Sequence, residues 1–268
     1  MKHFSLEKHE KKQMTKIHLS GKKESCEDFV VKEYPLTIYI HEQEIATLVC
    51  SPNHMDELII GFLAGEGMIS DREDIQDLSI NDKQGQAYLT LAQLKGFSRE
   101  MINKRILSSC CGKSRASFYF FNDSRTAKRV SSSITLEYKQ CFYLMEQLQS
   151  QSLEFLQTGG VHNAALASPK ELILSRYDIG RHNALDKLFG YALKEQLDLK
   201  DKIIVFSGRI SSEILLKVSK MGIGILLSKS APTSLALDMA HDLGITTVGF
   251  IRRGQMNVYT HPHRIIGL

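Results

Sequence analysis

The chain has 268 residues, 43% hydrophobic and 24% charged, an ordinary balance for a folded protein and enough for one large core or two smaller ones. Its net charge of +4 is too small to indicate nucleic-acid binding by itself and suits an anionic small molecule equally well. No stretch approaches the ~18 apolar residues of a membrane span, and seven lysines in the first 24 residues with no apolar run behind them exclude a standard signal peptide.

The basic start reads as a frayed, solvated tail. Residues 36–40 and 44–50 are strand-like and flank the polar turn His41-Glu42-Gln43, which predicts a hairpin. Ser51-Pro52-Asn53 stops the second strand, and Asn53 is placed to cap a helix carrying Met55, Leu58, Ile59, Phe62 and Leu63 at helical spacing, ended by Gly65 and Gly67. Strands are expected at 77–81 and 86–91, a helix at about 98–106, and an aromatic strand at 117–121. The polar run 122–133 reads as a linker. The expected organisation is therefore a smaller α+β domain over 1–130 and an α/β domain over 131–268.

In the second half helix and strand alternate, which predicts a layered α/β fold. Helices are expected at about 136–149, before Thr158, and near 183–195, 212–221 and 234–243. Strands are expected at 164–167, 172–177, 203–206, 224–228 and 246–250. Gly222 and Gly244 stand where helix C-terminal glycines belong.

Four polar connections in this half have a functional composition: 158–163, 178–183, 207–213 and 230–234. Three follow a strand and open a helix, the edge where open α/β sheets bind ligands. Free N–H groups at helix N-termini suit phosphates, and Arg181 and Arg209 add bidentate donors. Gly180, Arg181, His182, Asn183, Ser207, Gly208, Arg209 and Ser230 are thus candidate binding residues for a polyanion. The named phosphate motifs are absent: there is no Walker A sequence, and Gly222-Ile223-Gly224 lacks the third glycine of the dinucleotide fingerprint. His162, His182, His261 and His263 are conceivable zinc ligands, but His162-Asn163-Ala164 has alanine where a zinc deaminase needs glutamate, and no P-C-x-x-C follows. No metal is expected.

Five cysteines, Cys26, Cys50, Cys110, Cys111 and Cys141, are scattered and odd in number, so the expected compartment is a reducing cytoplasm. Cys110 and Cys111 are adjacent, inside Leu107-Ser108-Ser109-Cys110-Cys111-Gly112-Lys113-Ser114-Arg115. Neighbouring Cα atoms are about 3.8 Å apart, short of the roughly 4.4–6.8 Å of a relaxed disulfide. Lys104 and Arg105 before the pair, and Lys113 and Arg115 after it, favour thiolate, the nucleophilic form. Both cysteines are taken as catalytic candidates on a polar loop.

These residues carry a family resemblance. Gly61-Phe62-Leu63-Ala64-Gly65-Glu66-Gly67, the cysteine loop, Thr158-Gly159-Gly160-Val161-His162, the stretch Asp178-Ile179-Gly180-Arg181-His182-Asn183-Ala184-Leu185-Asp186-Lys187, Ser207-Gly208-Arg209, Ser230-Ala231-Pro232-Thr233 and Gly249-Phe250 together resemble the formate dehydrogenase accessory sulfurtransferase family of the FdhD type. The resemblance implies a carrier that takes sulfur from a cysteine desulfurase as a cysteine persulfide. It passes that sulfur to the molybdenum cofactor, a bis(molybdopterin guanine dinucleotide), before the cofactor enters the formate dehydrogenase apoenzyme. It also implies a C-terminal domain similar to the cytidine-deaminase fold without its zinc, and a cofactor held partly by Phe250, Ile251, Arg252, Arg253, Gly254 and Gln255. A guanine nucleotide would then mimic one end of the cofactor. Many members have C-x-x-C where this chain has adjacent cysteines. If two residues were deleted, Cys110 matches the first cysteine, the persulfide carrier. A non-enzymatic cofactor chaperone is the alternative reading, and a homodimer is left open.

Overall fold

The computed structural model describes residues 7–92, 106–107, 127 and 129–267. The expected strand at 117–121 and most of the expected helix at 98–106 lie outside these residues, as do Cys110 and Cys111. Ile106 itself belongs to a short strand.

The basic start is a hairpin rather than a tail. Strands β1 (His9–Ile17) and β2 (Lys23–Val31) pair antiparallel from His9↔Val31 to Ile17↔Lys23. Most of its side chains are solvated, so no apolar alternation announced it. Its base is tied down: His9 Nδ1 lies 3.0 Å from Glu154 Oε1, and Val31 packs against Gly160.

A five-stranded sheet follows, ordered β5-β6-β3-β4-β7, from β3 (Tyr34–Ile40), β4 (Gln43–Cys50), β5 (Ile75–Asn81), β6 (Gln86–Leu91) and β7 (Ile106–Leu107). The β3–β4 turn uses His41 and Glu42, at φ 47° and 67°, the paired positive values whose twist matches a two-residue hairpin. Leu36, Ile38, Leu48 and Leu89 share a buried core with helix α1 (Met55–Gly65). Asn53 does not cap that helix: His54 holds the cap position with no side-chain bond, and Asn53 Oδ1 accepts from Lys187 Nζ at 2.6 Å instead.

The second half is the expected three-layer α/β arrangement. Its mixed sheet is ordered β10-β9-β11-β12-β13-β14, from β9 (His162–Ala167), β10 (Leu172–Asp178), β11 (Ile203–Phe206), β12 (Ile225–Ser228), β13 (Thr246–Arg252) and β14 (Gln255–Val258). The strands β11, β12 and β13 are parallel, and β9 runs against both its neighbours. Alternation sorts the side chains. Ala165, Val205 and Leu227 pack with Leu144, Met145 and Leu148 of α2 (Tyr138–Ser150). Leu166, Ile204 and Leu226 face the other way, in one core with α4 (Arg181–Lys194), α5 (Ser212–Lys220) and α6 (Ser234–Leu243). The short helix α3 (Leu153–Thr158) follows α2. Helix α2 starts later than its periodicity predicts, because β8 (Leu136–Glu137) pairs with β15 (Ile265–Ile266) near the far end of the chain. Among the described residues no helix is long and apolar enough to cross a membrane.

The two halves share one core, and helices α1 and α4 join them. A Cβ on Gly61 would fall 1.8 Å from the Asp186 carbonyl oxygen, and one on Gly190 would fall 1.8 Å from that of Glu57. The helices therefore cross backbone to backbone, and each glycine is required by close approach. Beside the crossing, Arg176 of β10 grips Glu57 of α1 through Nε and Nη2, at 2.5 and 2.8 Å. Burial pushes the Glu57 carboxyl up, but the hydrogen bonds and charge of Arg176 and His54 outweigh it and hold its pKa at about 2.

Two outcomes follow from this joint. Gly190→Ala is expected to lower stability by ~1–3 kcal/mol or more by forcing the helices apart; an unchanged thermal midpoint would show that they separate freely. The Glu57 value is depressed from its usual 4.5. Its pair with Arg176 therefore adds stability that is full above that value and is lost as pH falls towards 2. Arg176→Ala should lower the urea midpoint at neutral pH and shrink the further loss on acidification through that window. A wild-type acid profile in the variant would exclude the linkage.

Candidate functional site

The most distinctive stretch of the sequence, 178–187, divides its residues between two jobs. Asp178 and Lys187 are fully buried and paired, Nζ to Oδ2 at 2.6 Å. Lys187 Nζ also donates to the Ser51 carbonyl at 3.2 Å, to Asn53 Oδ1, and to the Tyr177 carbonyl at 3.3 Å. Asp178 accepts from the backbone N–H of Ser51 at 3.0 Å and of Gly180 at 2.8 Å, and from Asn183 Nδ2 at 2.9 Å. Asn183 Nδ2 also donates to the Val49 carbonyl at 2.9 Å, and Ile179 N–H donates to Ser51 Oγ at 3.1 Å. Asp178, Asn183 and Lys187 thus lock the end of β4 to the end of β10. The Gly180 N–H, expected to be available to a phosphate, is held by the Asp178 carboxylate.

Arg181 and His182 occupy the first turn of α4, where both are partly exposed. His182 Nε2 lies 3.0 Å from Glu213 Oε2 in the first turn of α5, a partner the sequence pattern did not point to. Burial pushes the His182 pKa below its ordinary value despite Glu213. His162 at the start of β9 is lowered too, first by burial and then by the charges of Arg181 and His182. The result is two imidazoles that favour the neutral form beside a fixed cation.

Three loops continue this edge. Asn163 N–H donates to Ser207 Oγ at 2.9 Å, Ser228 Oγ donates to the Gly208 carbonyl at 2.7 Å, and Ser230 N–H donates to Ser228 Oγ at 3.0 Å. Ile210 N–H reaches the Ala231 carbonyl at 3.0 Å, and Phe250 N–H the Ser230 carbonyl at 3.1 Å. A Cβ on Gly208 would lie 2.9 Å from the Phe206 ring and 3.2 Å from Arg181 Cβ, so this glycine lets the loop close onto α4. Arg209 is exposed. The N-termini of α5 and α6 are capped by Ser211 and Thr233, so the charged donors here are the arginines rather than bare helix ends.

The 250–255 segment is a strand end and turn rather than an open loop. Phe250 sits at φ 54°, where the β13–β14 register shifts, and Arg253 and Gly254 turn the chain with φ 53° and 74°. Gln255 begins β14. Ile251, Arg252, Arg253 and Gly254 form one wall of a cleft of about 600 Å³, facing Phe142, Met145 and other residues of α2 together with Leu156 of α3. The α2 wall lies more than a hundred residues from the turn, so nothing local could have found it.

Of the three described cysteines, Cys50 and Cys141 are buried, and burial pushes both thiols up to about 12. Thiols held protonated in this way are poor nucleophiles. Among the described residues no group of three or more His, Cys, Asp or Glu is arranged to hold a metal.

Removing either partner of the Asp178–Lys187 pair leaves an uncompensated buried charge. Lys187→Met and Asp178→Asn are each expected to cost about 3–5 kcal/mol in urea unfolding, with the double variant losing less than the sum. Additive losses would show that the two side chains act independently.

A family model described as FdhD/NarQ matches residues 31–266. The proteins named sulfur carrier protein FdhD in Halalkalibacterium halodurans and Geobacillus kaustophilus are 56% and 55% identical to this chain, over 90% of it and over 89% and 91% of their own lengths. The Bacillus subtilis protein of that name is 49% identical over 91% of this chain and 93% of its own. A crystal structure of a protein from Desulfotalea psychrophila, titled as a formate dehydrogenase accessory protein, shares the fold at 23% identity. Its TM-score is 0.79, covering 97% of this chain and 100% of that one. On the match over 31–266 and identities above half, this chain belongs to the FdhD/NarQ family.

Proposed function

We propose that this protein is a sulfur carrier for the molybdenum cofactor of formate dehydrogenase, working in the cytoplasm. Residues 1–130 present the cysteine pair, and 131–268 hold the cofactor. The Cys110 thiolate attacks the outer sulfur of a persulfide on a cysteine desulfurase. One S–S bond forms on Cys110, the donor S–S bond breaks, and the donor leaves as a thiolate, with no net oxidation. For delivery the S–S bond on Cys110 breaks, and Cys110 leaves as the thiolate with that electron pair. The acceptor, the bis(molybdopterin guanine dinucleotide) destined for the apoenzyme, supplies the pair that binds the outer sulfur and is oxidised by two electrons. Cys111 assists release or shields the persulfide.

The observation that carries this reading is where the chain goes just before the cysteines. Leu107 of β7 pairs with Leu48 of β4. The next residue of β4, Val49, accepts from Asn183, and Ser51 is bonded to Asp178 and Ile179. Strand β7 therefore runs towards the first turn of α4, which carries Arg181 and His182. Cys110 follows three residues later, within a reach of roughly 11 Å. That reach supports a reading in which the Cys110 thiol works at the cationic sheet edge. Arg181, His182, Arg209 and Ser230 then serve one region of a phosphate-rich ligand, and Phe250 to Gln255 serve another. The names of the relatives agree with the carrier role.

Intact-protein mass spectrometry after incubation with a cysteine desulfurase and cysteine tests this. A gain of about 32 Da that vanishes in Cys110→Ala and persists in Cys111→Ala is expected. No gain in the wild type beside an active desulfurase would leave a cofactor chaperone without sulfur chemistry.

A further inference from the structure

Helices α4 and α5 are joined by two rungs of charge at matching heights. His182 and Glu213 are each the second residue of their helix, and Asp186 and Lys217 each follow four residues later, on the same faces. In the inner rung Lys217 Nζ donates to Asp186 Oδ1, and both side chains are only 3% exposed. It is a fixed ion pair that holds the two helices in register. In the outer rung, at the sheet edge, the His182 and Glu213 side chains are 20% and 28% exposed. Here the carboxylate faces a group that can gain and lose a proton near neutral pH.

The geometry sorts the two ring nitrogens of His182. Nε2 is buried and lies 3.0 Å from Glu213 Oε2, so the tautomer protonated on Nε2 sets its N–H against the carboxylate. Among the described residues no hydrogen bond reaches Nδ1, which is left as the acceptor. His162 on β9, Arg181 on α4 and Lys217 on α5 act on this ring or share its surroundings, and of the charged groups around it only Glu213 favours a proton there. The ring is therefore neutral at neutral pH and free to take a proton. We infer that Glu213 is a positioning residue that fixes His182 as the base for the carrier thiol, with Nδ1 receiving the thiol proton during sulfur loading. As that proton moves to Nδ1, the sulfur attacks the outer sulfur of the donor persulfide and the donor S–S bond breaks. The leaving donor thiolate then takes the proton from the imidazolium. One proton is relayed and nothing is oxidised overall. The inference rests on the proposed function above and names the residues that activate its thiol.

Two rates from about pH 5 to 9 test it in the full-length wild type, His182→Gln, Glu213→Gln and Glu213→Asp. One is the sulfur mass gain from a cysteine desulfurase and cysteine, and the other is iodoacetamide alkylation at Cys110, read by peptide sequencing in a mass spectrometer. A thiol of ordinary pKa, about 8.5, is roughly 3% thiolate at pH 7, so a base can raise either rate by up to about thirtyfold. The wild type is expected to hold its rates down to the His182 pKa, which lies below 6.5, and to lose them as the ring is protonated. His182→Gln should slow both rates about ten- to thirtyfold at pH 7, and by less than about threefold at pH 9, where the thiol ionises unaided. Glu213→Gln should also slow them at pH 7 and move the acid limb to lower pH, and Glu213→Asp should restore part of the loss. Both side chains of the outer rung are partly exposed, so all three variants should keep urea midpoints close to the wild type. Rates in His182→Gln equal to the wild type, or slowed by one factor at every pH, would overturn the inference and leave the carrier reading standing. No mass gain in the wild type beside an active desulfurase would overturn both.

Discussion

The architecture depends on one buried ion pair. Lys187 and Asp178 are both fully buried, and a charge out of water is tolerated only when its partners are complete. Here the partners come from two distant parts of the chain, residues 51–53 and 177–187. The lysine also takes acceptors from Ser51, Asn53 and Tyr177, and the carboxylate takes donors from Ser51, Gly180 and Asn183. The pair can be satisfied only when the β4–α1 junction is seated on the β10–α4 junction. The glycine crossing of α1 and α4 then follows, because a side chain at Gly61 or Gly190 would prevent the seating.

That constraint explains the uneven reading of residues 178–187. Composition marked residues 178–183 as a polar loop facing a ligand, and the structure puts Arg181 and His182 at the sheet edge. Asp178, Asn183 and Lys187 turn inward, and their polarity serves the interior. No local pattern separates the two sets, since two of the four acceptors for Lys187, on Asn53 and Ser51, lie 134 and 136 residues away. The same limit explains Asn53, a sound helix cap by type that is diverted to the stronger demand of a buried ammonium.

The rest of the fold was legible where short apolar runs are bounded by turn residues and where helices carry end signals. Strands β11 and β12, and β9 from Asn163 on, are buried and flanked by turn residues, and α5 and α6 have side-chain caps and glycine near their ends. Where pairing alone makes the element, sequence was mute. The β1–β2 hairpin is polar on much of its surface, and β8 is a strand only because β15 lies beside it. The cleft was half visible: the resemblance pointed to Arg252 and Arg253, while its other wall comes from α2, whose polar positions look like any solvated helix face.

The spacing of the cations bears on the ligand proposed for them. Arg209 follows β11 and Arg252 ends β13, with β12 between them. Strands stand about 4.8 Å apart, which separates the two strand ends by roughly 10 Å across the sheet. The Arg252 cleft also opens towards α2, on the opposite side of the sheet from α4 and α5. A single phosphate or a small anion could engage one group or the other, but not both. A ligand with anionic centres on long arms could reach around the sheet edge and engage the two together. Its middle would then lie against the carboxyl ends of β11, β12 and β13. That is the edge towards which β7 carries the chain before the cysteines. On the proposed function, an extended ligand gripped at both arms would leave its centre exposed to an incoming thiol, as sulfur delivery to a cofactor requires.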